Sequence, residues 1–206
     1  NFNPNQSSSQ TVANVTMTSA TTHLSDASNP CLLATAVVLV SAGNSILVKC
    51  RALLDGGSDC NLTTTACKER LGLLSQPTNI NVSGLCLASQ SVTNSVDVTL
   101  RSTYTDFQVN VQCLLVERIT FNLPPVDVDI KSWFLPSELA YADPEFYLAK
   151  PIDILLGADV FFNILLLVRL SHGSQLPNIQ RISLGWVVAG SVPQTRFILR
   201  LLPFLL

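Results

Sequence analysis

The sequence is poor in charged residues, and it has no long apolar run. Charged side chains make up only 13% of the chain, and 12 basic against 14 acidic residues leave a formal net charge of −2. Because surfaces that bind nucleic acid are typically basic, we expect no nucleic-acid partner. Apolar residues reach 48%, yet no stretch of about 18 in succession occurs, and we expect no transmembrane helix and no membrane partner.

Metal-ligand spacings are also missing. The six cysteines are widely separated and include no Cys-x-x-Cys pair, and His23 and His172 are the only histidines. We therefore expect no metal site, and no other feature of the sequence calls for a cofactor. Six cysteines could form three disulfides, but four of them lie in strand-like apolar runs, where small buried thiols are common. Free thiols are the prediction.

One domain between two tails accounts for a length of 206 residues. Residues 1–30 are rich in Ser, Thr, Asn and Gln, and they hold too few large apolar side chains to offset the entropy of ordering, which predicts a disordered linker. The chain begins Asn-Phe-Asn-Pro, without an initiator methionine or a leader, and we expect it to be a piece of a longer protein. The domain is predicted over residues 31–192, and the apolar tail 193–206 has no assignable role.

Short β-prone runs dominate the domain, which predicts a mainly β fold with one or two short helices. A helix is predicted at about Thr65 to Leu71, with Thr63 or Thr64 as its N-cap and Gly72 at its end. Ala42-Gly43-Asn44 separates the first two β-prone runs and predicts a hairpin, and residues 171–180 are loop-like. The predicted strands are Leu32 to Val40, Ser45 to Leu54, Ile80 to Leu85, Val92 to Leu100, Phe107 to Val116 and a last one around Ile182 to Ser191.

Two apolar strands that each end at glycine are the most informative features. Arg51-Ala-Leu-Leu-Asp-Gly-Gly57 delivers a carboxylate into a tight turn, and Ile152-Asp-Ile-Leu-Leu-Gly157 precedes a second short helix after Ala158. Together they resemble the half-fold of aspartic proteases, in which a strand ending Asp-Thr/Ser-Gly carries the catalytic acid. A later apolar-apolar-Gly strand passes beneath that acid in a psi-shaped loop. The matching residues are Asp55, Gly57, Leu155, Leu156 and Gly157.

Five segments, in the same order, resemble those of the aspartic peptidases of BEL/Pao retrotransposons, which are retropepsin-like. The resemblance covers roughly residues 31–192. It implies a retropepsin-like acid protease half-barrel that belongs to a retrotransposon polyprotein, with an intracellular, cytoplasmic location. The segments are Cys50 to Thr64, Leu71 to Leu73, Leu139 to Phe146, Pro151 to Asp159 and Leu184 to Gly190.

The resemblance implies that Asp55 is the catalytic residue of an aspartic-type endopeptidase. Two carboxylates about 3 Å apart share a proton, so that one acts as base and the other as acid on a water molecule that attacks the peptide bond. Because the sequence holds one such motif, we expect a homodimer in which each subunit supplies one Asp55.

The resemblance also assigns residues around the catalytic acid. The expected substrate is an extended peptide segment of the polyprotein, which would pair with strand-like backbone groups. Gly57 and Asp59 are implied to contact this substrate, and Gly84 is implied to lie in the turn of a flap hairpin around Val82 to Leu85. Leu156 and Gly157 are implied to form the psi-shaped loop.

Gly56 departs from the family pattern, which has Ser or Thr after the catalytic Asp. Loss of that hydroxyl from both subunits removes roughly 1 to 3 kcal/mol from the dimer. A catalytically impaired dimerisation or peptide-binding module is therefore an alternative. A serine hydrolase is another, since Gly56-Gly-Ser58-Asp-Cys60 differs by one residue from Gly-x-Ser-x-Gly, with His172 as its base. Asp153 and Asp159 are expected to be structural, as caps of the helix after Gly157.

Overall fold

The computed structural model describes residues 14–16, 31–41, 46–83, 89–171, 173 and 176–192. In these ranges the chain is mainly β, with two helices of seven residues each, α1 (Thr65–Leu71) and α2 (Ala158–Ile164). The described part of the chain holds no helix with the length and apolar character needed to cross a membrane. The strands are β1 (Asn14–Thr16), β2 (Cys31–Leu32), β3 (Thr35–Ser41), β4 (Val48–Leu54), β5 (Asn61–Thr64), β6 (Gln76–Ser83), β7 (Ser89–Arg101), β8 (Gln108–Val116), β9 (Ile154–Leu156), β10 (Leu165–Leu170), β11 (Asn178–Ile182) and β12 (Gly185–Ser191).

Six strands close into a barrel in the order β7, β3, β4, β9, β5, β8 and back to β7. Closure depends on β7, which is 13 residues long and pairs with β6, β3 and β8 along its length. Side chains that point inward from these strands fill the barrel, and Val38, Ala52 and Ile154 are fully buried there. The mainly β class with two short helices is confirmed, and the barrel is complete where the sequence suggests half of one.

A second sheet, of four strands in the order β10, β11, β12, β2, lies outside the barrel. It shares a core with residues of the irregular segment 117–153, which connects β8 to β9 without a helix or a named strand. Trp133, Phe146 and Ile179 are buried in this core. The segment also joins β12 directly, since Ala142 N–H donates to the carbonyl oxygen of Trp186 at 2.8 Å.

Helix α1 has the bounds that the sequence predicts. Thr64 Oγ1 accepts the N–H of Cys67 at 3.1 Å, which satisfies a backbone donor at the start of the helix. Gly72 ends the helix in the left-handed conformation, with φ of 64°. The predicted hairpin pairing is confirmed as well, because β3 and β4 are antiparallel with Val40 opposite Val48. Its turn, at residues 42–45, lies outside the described ranges.

Other strand predictions were wrong in detail. The run Leu32 to Val40 is divided between two sheets, since β2 pairs with β12 whereas β3 belongs to the barrel. The predicted last strand corresponds to β12, but it starts later, at Gly185, and it pairs with a further strand, β11, which begins at Asn178 inside the expected loop. Gly185 has φ of 122°, a conformation that only glycine adopts readily.

The predicted linker is described at three residues only. Asn14–Thr16 form β1, which pairs parallel to β6, so these residues have regular structure where the sequence predicts none. Backbone pairing with an exposed edge strand requires no large apolar side chain, which is why composition does not indicate it. The rest of 1–30 and the whole tail 193–206 lie outside the described ranges.

A buried ion pair joins the irregular segment to the barrel. Arg51 Nε lies 2.6 Å from Asp143 Oδ2, and the two side chains are only 8% and 2% exposed. Asp143 also accepts a hydrogen bond from Thr35 Oγ1 at 2.7 Å, and Arg51 donates to the carbonyl oxygens of Leu123 and Lys150. The remaining hydrogen-bonding capacity of the pair is thus largely satisfied, which a buried ion pair requires in order to be stable.

Replacement of Asp143 by Asn is expected to destabilise the fold by about 3 to 5 kcal/mol, because it leaves the Arg51 charge buried without a counter-ion. Urea denaturation measures the change. The control is Glu145→Gln, which removes the exposed ion pair with Lys150 and is expected to change stability by less than about 1 kcal/mol. Equal effects of the two variants would contradict the structural role of the buried pair.

Candidate functional site

Asp55 follows the end of β4, in a turn with two glycines. Its N–H donates to the carbonyl oxygen of Leu156 at 2.9 Å, and its carbonyl oxygen accepts the N–H of Ser58 at 3.2 Å. Its Oδ1 accepts the N–H of Gly57 at 2.9 Å. The half-exposed carboxylate is therefore oriented by the backbone through one of its two oxygens.

Gly157 permits two chain segments to cross directly beneath this turn. A Cβ atom at this position would lie 2.7 Å from the carbonyl oxygen of Cys60 and 2.8 Å from that of Ser58. Ala158 N–H donates to the same Ser58 oxygen at 2.7 Å. Strand β9 thereby fits between β4, to which it is parallel, and β5, to which it is antiparallel. The structure brings Asp55, Gly57, Leu156 and Gly157 together at this crossing.

Asn61 secures the crossing, and sequence reasoning missed it. The side chain is only 5% exposed, its Oδ1 accepts the N–H of Gly157 at 2.8 Å, and its Nδ2 donates to Asp159 Oδ2 at 3.1 Å. Asp159 is structural, as expected: the N-cap position is Gly157, but Asp159 lies in the first turn of α2, and its Oδ1 accepts the N–H of Val160 at 2.8 Å. The sequence signal for the role of Asn61 is an Asn at the start of a β-prone run, because a polar side chain that is buried there needs hydrogen-bond partners.

Asp153 is structural, as expected, but it does not cap α2. Its Oδ2 accepts the N–H of Arg51 at 2.8 Å, and its Oδ1 pairs with Arg70 Nη2 at 2.9 Å. Asp153 therefore ties the chain before β9 to β4 and to α1.

Phe161 accounts for glycine at position 56. A Cβ atom at Gly56 would lie 2.8 Å from Cδ1 and 3.0 Å from Cε1 of the Phe161 ring, and 3.5 Å from Cζ of Phe162. The two rings, on α2, pack edge to face with centroids 5.2 Å apart. The half-buried ring of Phe161 thus occupies the space that the side chain of Ser or Thr would need, so that Gly56 and α2 are matched in shape.

The remaining site residues that the sequence predicts differ in their exposure to solvent. Ser58 is fully buried and its hydroxyl donates to the carbonyl oxygen of Cys60 at 2.9 Å, which leaves it inaccessible as the nucleophile of a serine hydrolase. Asp59 is exposed on the same loop. Gly84 and His172 lie outside the described residues. The strands that flank Gly84 are antiparallel, with Ser83 opposite Ser89, so the chain reverses direction between them.

Cys60 is the thiol closest in sequence to this turn. Burial raises the pKa of Cys60 to about 11, so that it is neutral at physiological pH and a poor nucleophile. Within the described ranges no three His, Cys, Asp or Glu side chains are placed to hold a metal ion. The prediction of free thiols is confirmed for Cys31, Cys50, Cys60, Cys67 and Cys113, and Cys86 lies outside the described residues.

No protein-family model and no curated protein matches this chain significantly.

Gly56→Ser is expected to destabilise the fold by about 1 to 3 kcal/mol, because the added side chain meets the ring of Phe161. In a Phe161→Leu background the same substitution is expected to destabilise the fold by at least about 0.5 kcal/mol less than in the wild type. A double-mutant cycle from urea denaturation measures this coupling. Phe107→Leu provides the control, since Phe107 is another half-buried ring against the barrel core but does not contact Gly56. Additive effects in the Phe161 cycle would contradict the steric match.

Proposed function

We propose that this chain is a retropepsin-like aspartic endopeptidase domain of the BEL/Pao type, which hydrolyses peptide bonds of a polyprotein as a homodimer. The observation that carries the proposal is the placement of Asp55. A partly exposed turn presents its carboxylate, Gly57 N–H orients one oxygen, and the crossing of β9 beneath the turn holds its backbone. A rigidly supported carboxylate with a free face is what an acid-base pair requires from each of its halves.

Peptide hydrolysis by this mechanism requires a second carboxylate within about 3 Å of that of Asp55, so that the two share one proton. In the proposed dimer Asp55 of one subunit removes a proton from water as the water attacks the scissile carbonyl. Asp55 of the other subunit, in its protonated form, donates a hydrogen bond to the developing oxyanion. As the C–N bond breaks, the Asp55 pair gives the leaving amine the proton that it took from water. No covalent intermediate and no cofactor is involved.

An exposed apolar surface beside the turn supports dimerisation. It consists of Phe162 on α2 and the first residues of β10, which is an edge strand of the second sheet. Leu167 is fully exposed, and Phe162 is 63% exposed. Contiguous exposed apolar side chains on a strand edge are a recurrent feature of protein contacts. We call this surface the β10 strip, and its members are Phe162, Leu165, Leu166, Leu167 and Val168.

The β10 strip reaches the candidate site. The Phe162 ring lies 3.5 Å from the position of a Cβ at Gly56, one residue from Asp55. A twofold axis close to this turn would therefore let two copies of the strip contact each other while the two Asp55 side chains approach. This continuity favours a second copy of the chain, rather than an unrelated partner, as the occupant of the strip.

Substrate binding completes the proposal. An extended peptide would lie across the paired Asp55 turns, with Gly57 and the exposed Asp59 next to its backbone. The antiparallel pair of β6 and β7 would act as the flap. The proposed location is the cytoplasm.

A non-catalytic dimerisation or peptide-binding module is the second candidate. It is favoured by one observation, that the ring of Phe161 leaves no room for a hydroxyl-bearing side chain at Gly56. Such a module would keep the dimer and bind peptides without cleaving them.

Cleavage of a mixed peptide library by the concentrated protein between about pH 4 and 7 tests the enzyme. Asp55→Asn is expected to lower the rate by more than about a thousandfold, because a dimer of the variant holds no carboxylate at this site that could accept or donate the proton. Asp106→Asn, at another exposed carboxylate, serves as the control and should cleave like the wild type. If the folded, dimeric wild type binds peptides but cleaves none, the non-catalytic module is the better account.

Leu167→Lys is expected to weaken dimerisation by at least about a hundredfold, since it places a charge in the centre of an apolar contact. Sedimentation at several protein concentrations measures the dissociation constant. Leu74→Lys is the matched control, because Leu74 is 92% exposed and is not part of the β10 strip, since it belongs to the chain after α1. A dimer that Leu167→Lys leaves intact would exclude the β10 strip as its interface.

A further inference from the structure

Two buried cysteines contact each other between β4 and α1. Cys50 Sγ on β4 lies 3.6 Å from Cys67 Sγ on α1, and one thiol donates a hydrogen bond to the other. The two residues are 1% and 0% exposed. The sulfurs are thus in van der Waals contact although 17 positions separate them in the sequence.

Arg70 places a positive charge on this pair. Its Nη2 lies 3.4 Å from Cys50 Sγ and 3.8 Å from Cys67 Sγ, and it is held in place by Asp153 Oδ1 at 2.9 Å. A guanidinium next to a thiol favours the thiolate, which is the reactive form of cysteine. The hydrogen bond from Cys50 lowers the pKa of Cys67, whereas the same bond, together with burial, raises the pKa of Cys50.

Cys113 is a buried thiol that has no hydrogen bond to a second cysteine or to Arg70, and it serves as a comparison. It is fully buried in β8, and burial raises its pKa far above the usual range. Burial alone therefore makes a thiol in this barrel inert, and the contact with a second sulfur and with Arg70 distinguishes the pair of Cys50 and Cys67 from it.

Although both cysteines are buried, Cys50 borders a cavity. A cavity of about 620 Å³ is lined by Cys50, Arg51 and Asp153 among others. A second cavity, of about 650 Å³, is lined by Arg70 and also by Asp153. Both volumes greatly exceed that of a peroxide molecule, which is similar in size to water.

We propose that Cys50 and Cys67 form a redox-active dithiol, which hydrogen peroxide or a small organic hydroperoxide converts to an intramolecular disulfide across the loop that carries Asp55. The inference does not depend on peptidase activity. It rests on the contact between the sulfurs, on the neighbouring cation and on the cavity that Cys50 borders.

The reaction balances with peroxide as the oxidant. The thiolate of the pair attacks one peroxide oxygen, the O–O bond breaks, and the hydroxide that leaves takes a proton to become water. The resulting sulfenic acid is attacked by the neighbouring sulfur, which loses its proton as the S–S bond forms and a second water leaves. Two thiols are oxidised by two electrons in total, and one peroxide is reduced to two waters.

The disulfide would act on the candidate site through the chain between its ends. An S–S bond of about 2.05 Å requires the two sulfurs to approach each other, which draws α1 towards β4. The closed loop contains Asp55 and the Ser58 and Cys60 carbonyls that contact Gly157. The oxidised protein is therefore expected to unfold at a temperature higher by roughly 5 to 10 °C, because the loop is constrained in the unfolded chain.

Oxidation of the intact, reduced wild-type protein by a small excess of hydrogen peroxide tests the proposal. We expect the mass to fall by two hydrogen atoms, peptide mapping to link Cys50 to Cys67, and dithiothreitol to reverse the change. Cys113→Ser should form the same link, and Cys50→Ser should not. Peroxide that converts either residue to a sulfinic acid without a link, or links it to a different cysteine, would overturn the proposal.

Two further measurements test the proposal. The first uses only the wild type, so that it does not depend on the folding of a cysteine variant, and the second tests the role of Arg70. Phenylarsine oxide, which bridges two nearby thiols, should bind the reduced wild type with one arsenic per chain and protect Cys50 and Cys67 together from alkylation. Arg70→Gln should slow disulfide formation about tenfold, because less thiolate is present, whereas Lys68→Gln on the same helix should not. Arsenic that protects neither residue, or an unchanged rate in Arg70→Gln, would contradict the account.

Discussion

The close approach of Gly157 to the carbonyl oxygens of Ser58 and Cys60 is the constraint on which the candidate site depends. Any side chain at this position would push β9 away from the loop after β4. With glycine there, the carbonyl oxygen of Leu156 reaches the N–H of Asp55, and Asn61 closes the contact from the other side. Two segments that are far apart in sequence are thereby held together under one carboxylate, which gives the exposed turn a rigid base.

Strand β4 connects this base to the rest of the molecule through the alternation of its side chains. Cys50, Ala52 and Leu54 point into the barrel core, whereas Arg51 and Leu53 point to the opposite side. One face therefore carries the thiol that contacts α1, and the other carries the cation that binds Asp143 and anchors the irregular segment. A displacement of β4 by one residue would exchange these faces and remove both contacts.

Local signals in the sequence predict the parts of the fold that depend on neighbouring residues. Helix α1 is predicted correctly because Thr64 and Gly72 cap it, and the segments around Asp55 and Gly157 stand out because an apolar strand ends at glycine in each. Contacts between distant residues are not predicted. Arg51 in an apolar strand indicates that it has a buried partner, but the sequence does not identify Asp143 as that partner. Likewise, Gly56 departs from the family pattern, and only the structure shows that the ring of Phe161 occupies the space next to it. The division of Leu32 to Val40 between two sheets likewise depends on pairing with β12.

The central claim is that two subunits each supply one Asp55, and mixing active with inactive chains tests it most directly. A fixed amount of wild-type protein is equilibrated with increasing amounts of Asp55→Asn, and peptide cleavage is measured. Subunit exchange would draw wild-type chains into mixed dimers that hold a single Asp55, so the account predicts that activity falls progressively as the variant is added. Activity that stays constant under exchange would show that one chain carries the whole catalytic site, which would contradict the account.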